Sequence, residues 1–373
     1  MLYHDLGKVD GKKHSHSGVL LVNNDLKKIG YPEIKLERIY LLIEKHLMMS
    51  MISQRRNLSE EKTILDFTKQ IKDLENLKLL YCLTYADMRA VGPGIWNDWK
   101  GSLLQSLYLK SEKMFLGQEI RLKHENIISK IIHGIKNESC DELILKEHLN
   151  AMPSDYFTTF NPKQMLGHII QIQQLKKSSI QFEWVWHSEL NTMELSVYTM
   201  DTPGIFQKIA GVLSSQKINI INAQVFSRND GIVIDKFLIQ TLAHEHFINE
   251  KKRFKIQVLL KKALQNEIWV EELISKEILA HPDSQTPIKI TFNNEESITH
   301  TIIEIQTTDH IGLLYKISKS FHDLGIDIHL AKLSTHKDQV IDSFYVVDYD
   351  KQKIEGNEAQ SIVTEELKKI IQG

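Results

Sequence analysis

Met193-Glu194-Leu195-Ser196-Val197-Tyr198 alternates in polarity, and Asp201-Thr202-Pro203-Gly204 follows it at once. Period-two alternation marks a half-buried strand, and the Asp-Thr-Pro-Gly run marks a strand-to-helix turn. Phe206, Ile209, Ala210 and Leu213 then fall on one face of a helix. Two further strands are predicted, Asn219–Phe226 and Ile232–Gln240. They are joined by Arg228-Asn229-Asp230-Gly231, whose Asp-Gly pair is a strong hairpin signal.

The same pattern returns about a hundred residues later. Thr301–Thr307 reads as a strand, Asp309-His310-Ile311-Gly312 as its turn, and Leu314, Ile317 and Phe321 as a helix face. Strands at Asp327–Ser334 and Val340–Asp348 and a final helix complete it. Asp201 to Ala223 spans 22 residues, as does Asp309 to Ala331. Gly204/Gly312, Phe206/Leu314, Ile209/Ile317, Asp235/Asp342 and Phe237/Phe344 match in type, the last two with a one-residue difference in the hairpin. This is an internal duplication.

Residues 1–120 read as helical, with apolar residues at helical spacing over Leu36–Met48 and Leu77–Tyr85. Residues 121–190 read as a helical connector, with patterns from about Glu119 to Gly134 and from Pro162 to Lys176. The 373-residue chain is near neutral at net charge −2, which gives no electrostatic case for nucleic-acid binding. Cys82 and Cys140 are its only cysteines, which excludes a disulfide framework or a thiolate zinc cluster and fits a reducing compartment. The start carries no signal-peptide pattern and no apolar run spans a bilayer. A cytoplasmic protein without membrane partners is expected.

His4-Asp5-Leu6-Gly7-Lys8 carries the main chemical signal. Neighbouring helical residues point ~100° apart, yet an imidazole and a carboxylate can share an ion at the edge between them. That donor pair suits a divalent metal that polarises water. Lys8 adds a point charge for a phosphate oxygen. Asp87 lies in the apolar helical segment Leu83–Arg89, where a carboxylate needs a partner or a metal. His14 and His46 lie between these points. His4, Asp5 and Asp87 are therefore expected as metal ligands, with Lys8, His14 and His46 as catalytic candidates.

The C-terminal repeat resembles the ACT domain, which implies an α+β ferredoxin-like βαββαβ fold for each copy, at 191–270 and 297–373. Its Asp-x-x-Gly turns suit small amino acids. Glycine admits a ligand to the backbone, the helix N-terminus favours a carboxylate, and the Asp can answer an ammonium or cap the helix. Asp201, Gly204, Asp309 and Gly312 are the candidate ligand residues.

The order His-Asp, His, His, Asp resembles the HD superfamily of metal-dependent phosphohydrolases, which implies an all-α domain at 1–120. Longer blocks sharpen this: Leu2–Lys8, Lys45–Ser50, Gln54-Arg55-Arg56, Thr84–Asp87 and Gly92–Lys100 are similar to the HD part of the bacterial bifunctional uridylyltransferase/uridylyl-removing enzymes. Met152–Gln164 resembles their connector. The resemblance implies a Mg2+- or Mn2+-dependent hydrolysis that removes UMP from a tyrosine of the nitrogen-regulatory PII protein, under control of L-glutamine sensed by the ACT pair. It also implies that a nucleotidyltransferase domain and a further HD histidine would lie before Met1, so that transferase activity is not expected. The alternative is an amino-acid-sensing ACT module on an inactive HD remnant. A guanosine tetraphosphate hydrolase fits less well, since those enzymes carry one ACT domain after a ubiquitin-like domain.

Overall fold

Apolar periodicity builds the N-terminal half of the chain and strand alternation the C-terminal half. The structure, a computed structural model, describes residues 30–90, 96, 98–117, 142–153, 156–188, 192–241, 248–274, 287–308, 310–336 and 339–372, with isolated positions 19, 22, 25, 26 and 28. The chain divides into two units, Met1–Arg121 and Leu122–Gly373.

The first unit is helical over its described residues: α1 (Glu33–Lys45), α2 (Met48–Arg55), α3 (Glu61–Ile71), α4 (Leu74–Ala90) and α5 (Asp98–Phe115). Helix α3 shows why. Its buried residues Ile64, Phe67, Thr68 and Ile71 recur at i, i+3, i+4 and i+7, one stripe of an amphipathic helix. They close a core with Met49, Leu77, Leu80, Met88, Leu104 and Leu107.

Among its described residues the second unit has three helices before the sheet, α6 (Glu142–Ala151), α7 (Tyr156–Thr159) and α8 (Pro162–Gln174). Helix α8 starts where the sequence requires. Asn161 and Gln164 form a reciprocal capping box and proline occupies the first turn. The stretch from about Glu119 to Gly134 lies outside the described residues.

Next comes an antiparallel sheet. Its elements are β1 (Ile180–His187), β2 (Thr192–Met200), α9 (Ile205–Ser215), β3 (Ile218–Ser227), β4 (Ile232–Thr241), α10 (Glu250–Leu264), α11 (Val270–Leu273), β5 (Lys289–Asn293), β6 (Thr301–Thr308), α12 (Leu313–Asp323), β7 (Asp327–Lys332), β8 (Thr335–His336), β9 (Gln339–Val347) and α13 (Asn357–Gln372). The strand order is β1-β2-β4-β3-β7-β9-β6-β5, with β8 paired to β9.

Three expectations are corrected here. Residues 180–187, read as part of a helical connector, form strand β1 on β2. Residues 289–293, placed before the second repeat, form β5 on β6. Among the described residues each repeat therefore runs ββαββα rather than βαββαβ. The edge position beside β2 or β6 needs only an antiparallel neighbour, and the chain fills it from the preceding segment.

The duplication is reproduced in detail. Helices α9 and α12 start and end at equivalent residues. Both following strands bulge at the same place, between Ile220 and Asn222 and between Ile328 and Leu330. The repeats join through β3 and β7, where Ala223 pairs with its own counterpart Ala331. A local two-fold relation thus runs through that pair.

Candidate functional site

In the helical unit, His46 sits in the turn between α1 and α2 and is 1% exposed. Its Nδ1 lies 2.7 Å from the Ile43 carbonyl oxygen. A carbonyl only accepts, so Nδ1 carries the proton and further chemistry at this ring falls to Nε2. Thr84 Oγ1 donates to the His46 carbonyl at 3.3 Å, which ties α4 to that turn. Asp87, half-buried, follows one turn later on α4. The sequence blocks around Thr84 and Gly92–Lys100 also meet. The Tyr85 ring packs edge-on against Trp96 at 4.9 Å. Gly101 leaves room for that indole, since a Cβ there would lie 2.7 Å from its Cζ2.

The structure therefore places the His46 turn and the Asp87 helix side by side. His4, Asp5, Lys8 and His14 lie outside the described residues. Among the described residues no group of three or more His, Cys, Asp or Glu side chains could hold a metal ion.

In the sheet unit, both predicted βα turns end on a left-handed glycine, Gly204 at φ +81° and Gly312 at φ +89°. Only glycine adopts this region without strain, and each turn closes with a hydrogen bond to the first helical residue, Ile205 N–H donating to the Thr202 carbonyl at 3.3 Å and Leu313 N–H to the His310 carbonyl at 3.2 Å. Asp309 lies outside the described residues.

The first turn is built jointly by the two repeats. A Cβ at Gly204 would lie 2.7 Å from Gln207 Nε2 and 3.3 Å from the His322 ring of α12. Asp201 donates its N–H to the Gly231 carbonyl at 2.7 Å. Partial burial holds its carboxyl above the usual range, and Asp327 of the second repeat adds to this. Lys351 and the Thr202 N–H pull the other way. Lys351 is itself ion-paired to Asp327.

Beneath the same helix lies a group that the sequence showed only as a matching pair. Asp235 is 2% exposed, and its Oδ1 has no hydrogen-bond partner. Burial first, then the Asp201 charge, pushes its carboxyl up to about 8. Its counterpart Asp342 accepts from the Ser334 N–H at 3.3 Å.

Sequence reasoning missed how the connector helices attach. They cover the sheet face opposite α9, where Tyr156, Phe157, Phe160 and Ile169 pack on Tyr198, Phe226 and Ile234. A buried polar chain runs through this layer. Tyr156 Oη lies 3.0 Å from His148 Nε2 and 2.8 Å from His168 Nδ1. Arg228 Nη1 donates to His148 Nδ1 at 2.9 Å, and Arg228 also holds Asp230. Asn229 N–H donates to the Ala151 carbonyl at 3.0 Å. Desolvation drives both imidazoles down to about 3, assisted by Arg228 at His148 and by Lys236 at His168. Both rings are therefore neutral. The 228–231 hairpin bonds to the Asp201 turn on one side and to the connector on the other. Histidine spacing alone carried no sign of this.

Among the described residues, no helix is long and apolar enough to cross a membrane. A family model described as an ACR9-like, ACT-like domain matches residues 289–372. The chain is 30% identical to the bifunctional uridylyltransferase/uridylyl-removing enzyme of Rhodospirillum rubrum, over 95% of this chain and 39% of that protein. It is 31% identical to that of Phenylobacterium zucineum, over 95% of this chain and 38% of that protein. The Ruegeria pomeroyi enzyme is 29% identical, over 100% of this chain and 42% of that protein. The chain is thus a homologue of the bifunctional uridylyltransferase/uridylyl-removing enzymes along nearly all its length, and it spans about two fifths of theirs.

Proposed function

We propose that this chain carries the removal half of that chemistry: hydrolysis of the phosphodiester linking UMP to a tyrosine of a PII-type protein, controlled by L-glutamine at the βα turns. The observation that carries the control is the pair of equivalent glycine turns, the first of them faced by His322 and Asp327 of the other repeat. A zwitterion suits such a place. Its carboxylate meets first-turn N–H groups and a positive helix end, and its ammonium meets Asp201.

For the hydrolysis, the reading is supported by two of its residues, His46 and Asp87. His46 and Asp87 stand on adjoining elements, an imidazole and a carboxylate, donor types that suit a divalent metal. In this reading His4, Asp5 and Asp87 hold the ion, which when bound supplies a Lewis acid beside the phosphodiester. Lys8 neutralises a non-bridging phosphate oxygen. His14 and His46 position water or move its proton, His46 through Nε2 because Nδ1 is committed to Ile43.

Two measurements test the proposal. Titration calorimetry with L-glutamine should show heat at millimolar concentration or below, and none would sink the control. Release of UMP from uridylylated PII should depend on added Mn2+ or Mg2+. Glutamine binding without any release would leave a sensor module on an inactive helical domain.

A further inference from the structure

Helices α10 and α13 are equivalent members of the duplication and form the two ends of one helix layer. α10 packs on α9, α13 packs on α12, and α9 and α12 pack together between them. Ile256 and Leu260 of α10 and Val363 and Leu367 of α13 hold the same places, and all four are buried in the common core.

Their outward faces have diverged. On α10, Lys255, Val258 and Lys262 recur at i, i+3 and i+7, one stripe of a helix, and all three are exposed. Phe254 stands beside them at 68% exposure. On α13, Glu358, Ile362 and Glu365 form an exposed stripe at i, i+4 and i+7, with Ile362 at 54% exposure. Among the described residues Lys255, Lys262, Glu358 and Glu365 form no ion pair, and Glu365 takes a bond from the Ser361 hydroxyl of its own helix at 3.3 Å.

The two stripes complement each other. Read in opposite directions, basic–apolar–basic on α10 has the same steps as acidic–apolar–acidic on α13. One antiparallel register therefore sets Lys255 against Glu365, Val258 against Ile362 and Lys262 against Glu358. Pairing α10 with another α10 would set lysine against lysine. Within one chain α9 and α12 lie between the two stripes, so the complement of each must come from another molecule.

We propose that this helix layer is a self-association surface: α10 of one copy packs antiparallel on α13 of a second copy, and α13 on its α10, in a closed two-fold dimer. The directions fit. Strands β3 and β7 are antiparallel, so the local two-fold relation sets α10 and α13 of one chain antiparallel as well. A dimer axis along the helices keeps their directions, and each contact is made twice. Phe254, Val258 and Ile362 supply the apolar burial. The lysine–glutamate pairs, individually weak at a surface, set partner and register. In the same register Lys251 falls opposite Lys369, which is already paired with Glu366 at 3.5 Å. This association is independent of amino-acid binding at the turns.

Sedimentation velocity of the whole chain over about 1–100 μM tests it, with Lys255→Glu, Glu365→Lys and the double variant, each checked by circular dichroism. The unaltered chain should pass from monomer to dimer in that range and shift towards monomer as salt is raised. Each single reversal should raise the dimer dissociation constant about a hundredfold, about tenfold for each of the two symmetric contacts. The double variant, and an equimolar mixture of the two single variants, should recover the dimer, because opposite charges face each other again. Mixing would not repair a loss of folding. A chain that is monomeric throughout the range overturns the proposal, as does a dimer indifferent to the single reversals or a loss that mixing leaves unrepaired. Pelleting of the monomer with phosphatidylglycerol vesicles, lost in Lys255→Glu, would give the basic face to an anionic lipid surface and overturns it too.

Discussion

The two repeats share one plan and differ in what covers them. In the first, the outer sheet face carries Tyr198, Phe226 and Ile234 beneath the connector helices, and the buried acid Asp235 keeps an oxygen unbonded. In the second, the positions of Tyr198 and Phe226 are Gln306 and Ser334. The apolar cluster on that face shrinks to Ile302, Leu330 and Tyr345, and the equivalent acid Asp342 takes a backbone donor. Duplication supplied two equal frames. Substitution then made one a docking platform over a buried acid with an unbonded oxygen, and gave the equivalent acid of the other a backbone donor. The first repeat is accordingly the place to look for a response to ligand or pH.

The largest expected contrast is in packing. Phe226→Ala empties a site packed by Tyr156 and Phe160 and should cost about 3–5 kcal/mol. Ser334→Ala, at the equivalent position, should cost under about 1 kcal/mol. Urea denaturation of the two variants measures the difference, and equal losses would mean that the connector is not held by this face.

Acid should loosen the same layer. His148 and His168 are held near 3, below the unfolded value of about 6.5, so their contribution is full above pH 6.5 and lost as pH falls towards 3. Each can remove up to about 1.4 kcal/mol per pH unit in that window. Melting temperatures at pH 7 and pH 5 should fall apart less in His148→Gln than in the unaltered chain. An unchanged pH slope would place the acid sensitivity elsewhere.

Gly211→Ala should cost about 1–3 kcal/mol by overpacking against Val270 and Tyr315. Lys319→Ala, its counterpart, removes only an i,i+4 ion pair with Asp323 and should cost less than about 0.5 kcal/mol. A mild Gly211 variant would show that α9 and α12 can separate easily.

Asp235 should give a slope of opposite sign to the histidines. Its folded pKa, about 8, lies above the unfolded value of about 3.9, so the group favours the fold most at low pH and loses this as pH rises from about 4 towards 8. Asp235→Asn should therefore stabilise the chain more at pH 7 than at pH 6, by roughly 1 kcal/mol. The same relief from Asp342→Asn would mean that the Ser334 donor makes no difference.

The smallest effect is at the turns. Gly204→Ala and Gly312→Ala should each cost about 1 kcal/mol in folding, because alanine is strained at positive φ. Only Gly204→Ala is expected to reduce glutamine affinity as well. Loss of binding from Gly312→Ala alone would move the effector to the second repeat.

The local frame was legible in the order of residues. Alternation and Asp-x-x-Gly spacing marked the paired turns, and helical periodicity marked the first unit, because these patterns record which face of an element meets the core. It also held the alternation of Ile180-Gln181-Phe182-Glu183-Trp184, which in the fold is strand β1. What alternation lacks is a partner, and it took the assembled sheet to set β1 and β5 at the edges, supplied from the preceding chain. The same holds for the polar groups. His148, Tyr156 and His168 are scattered polar residues in the chain, and Asp235 is one acid in an apolar strand. Their meaning comes from being brought within bonding distance, or buried without a partner, by elements far apart in sequence. Local patterns follow from which residues prefer water; pairings follow from which surfaces meet, and the second is settled only when the whole chain has packed.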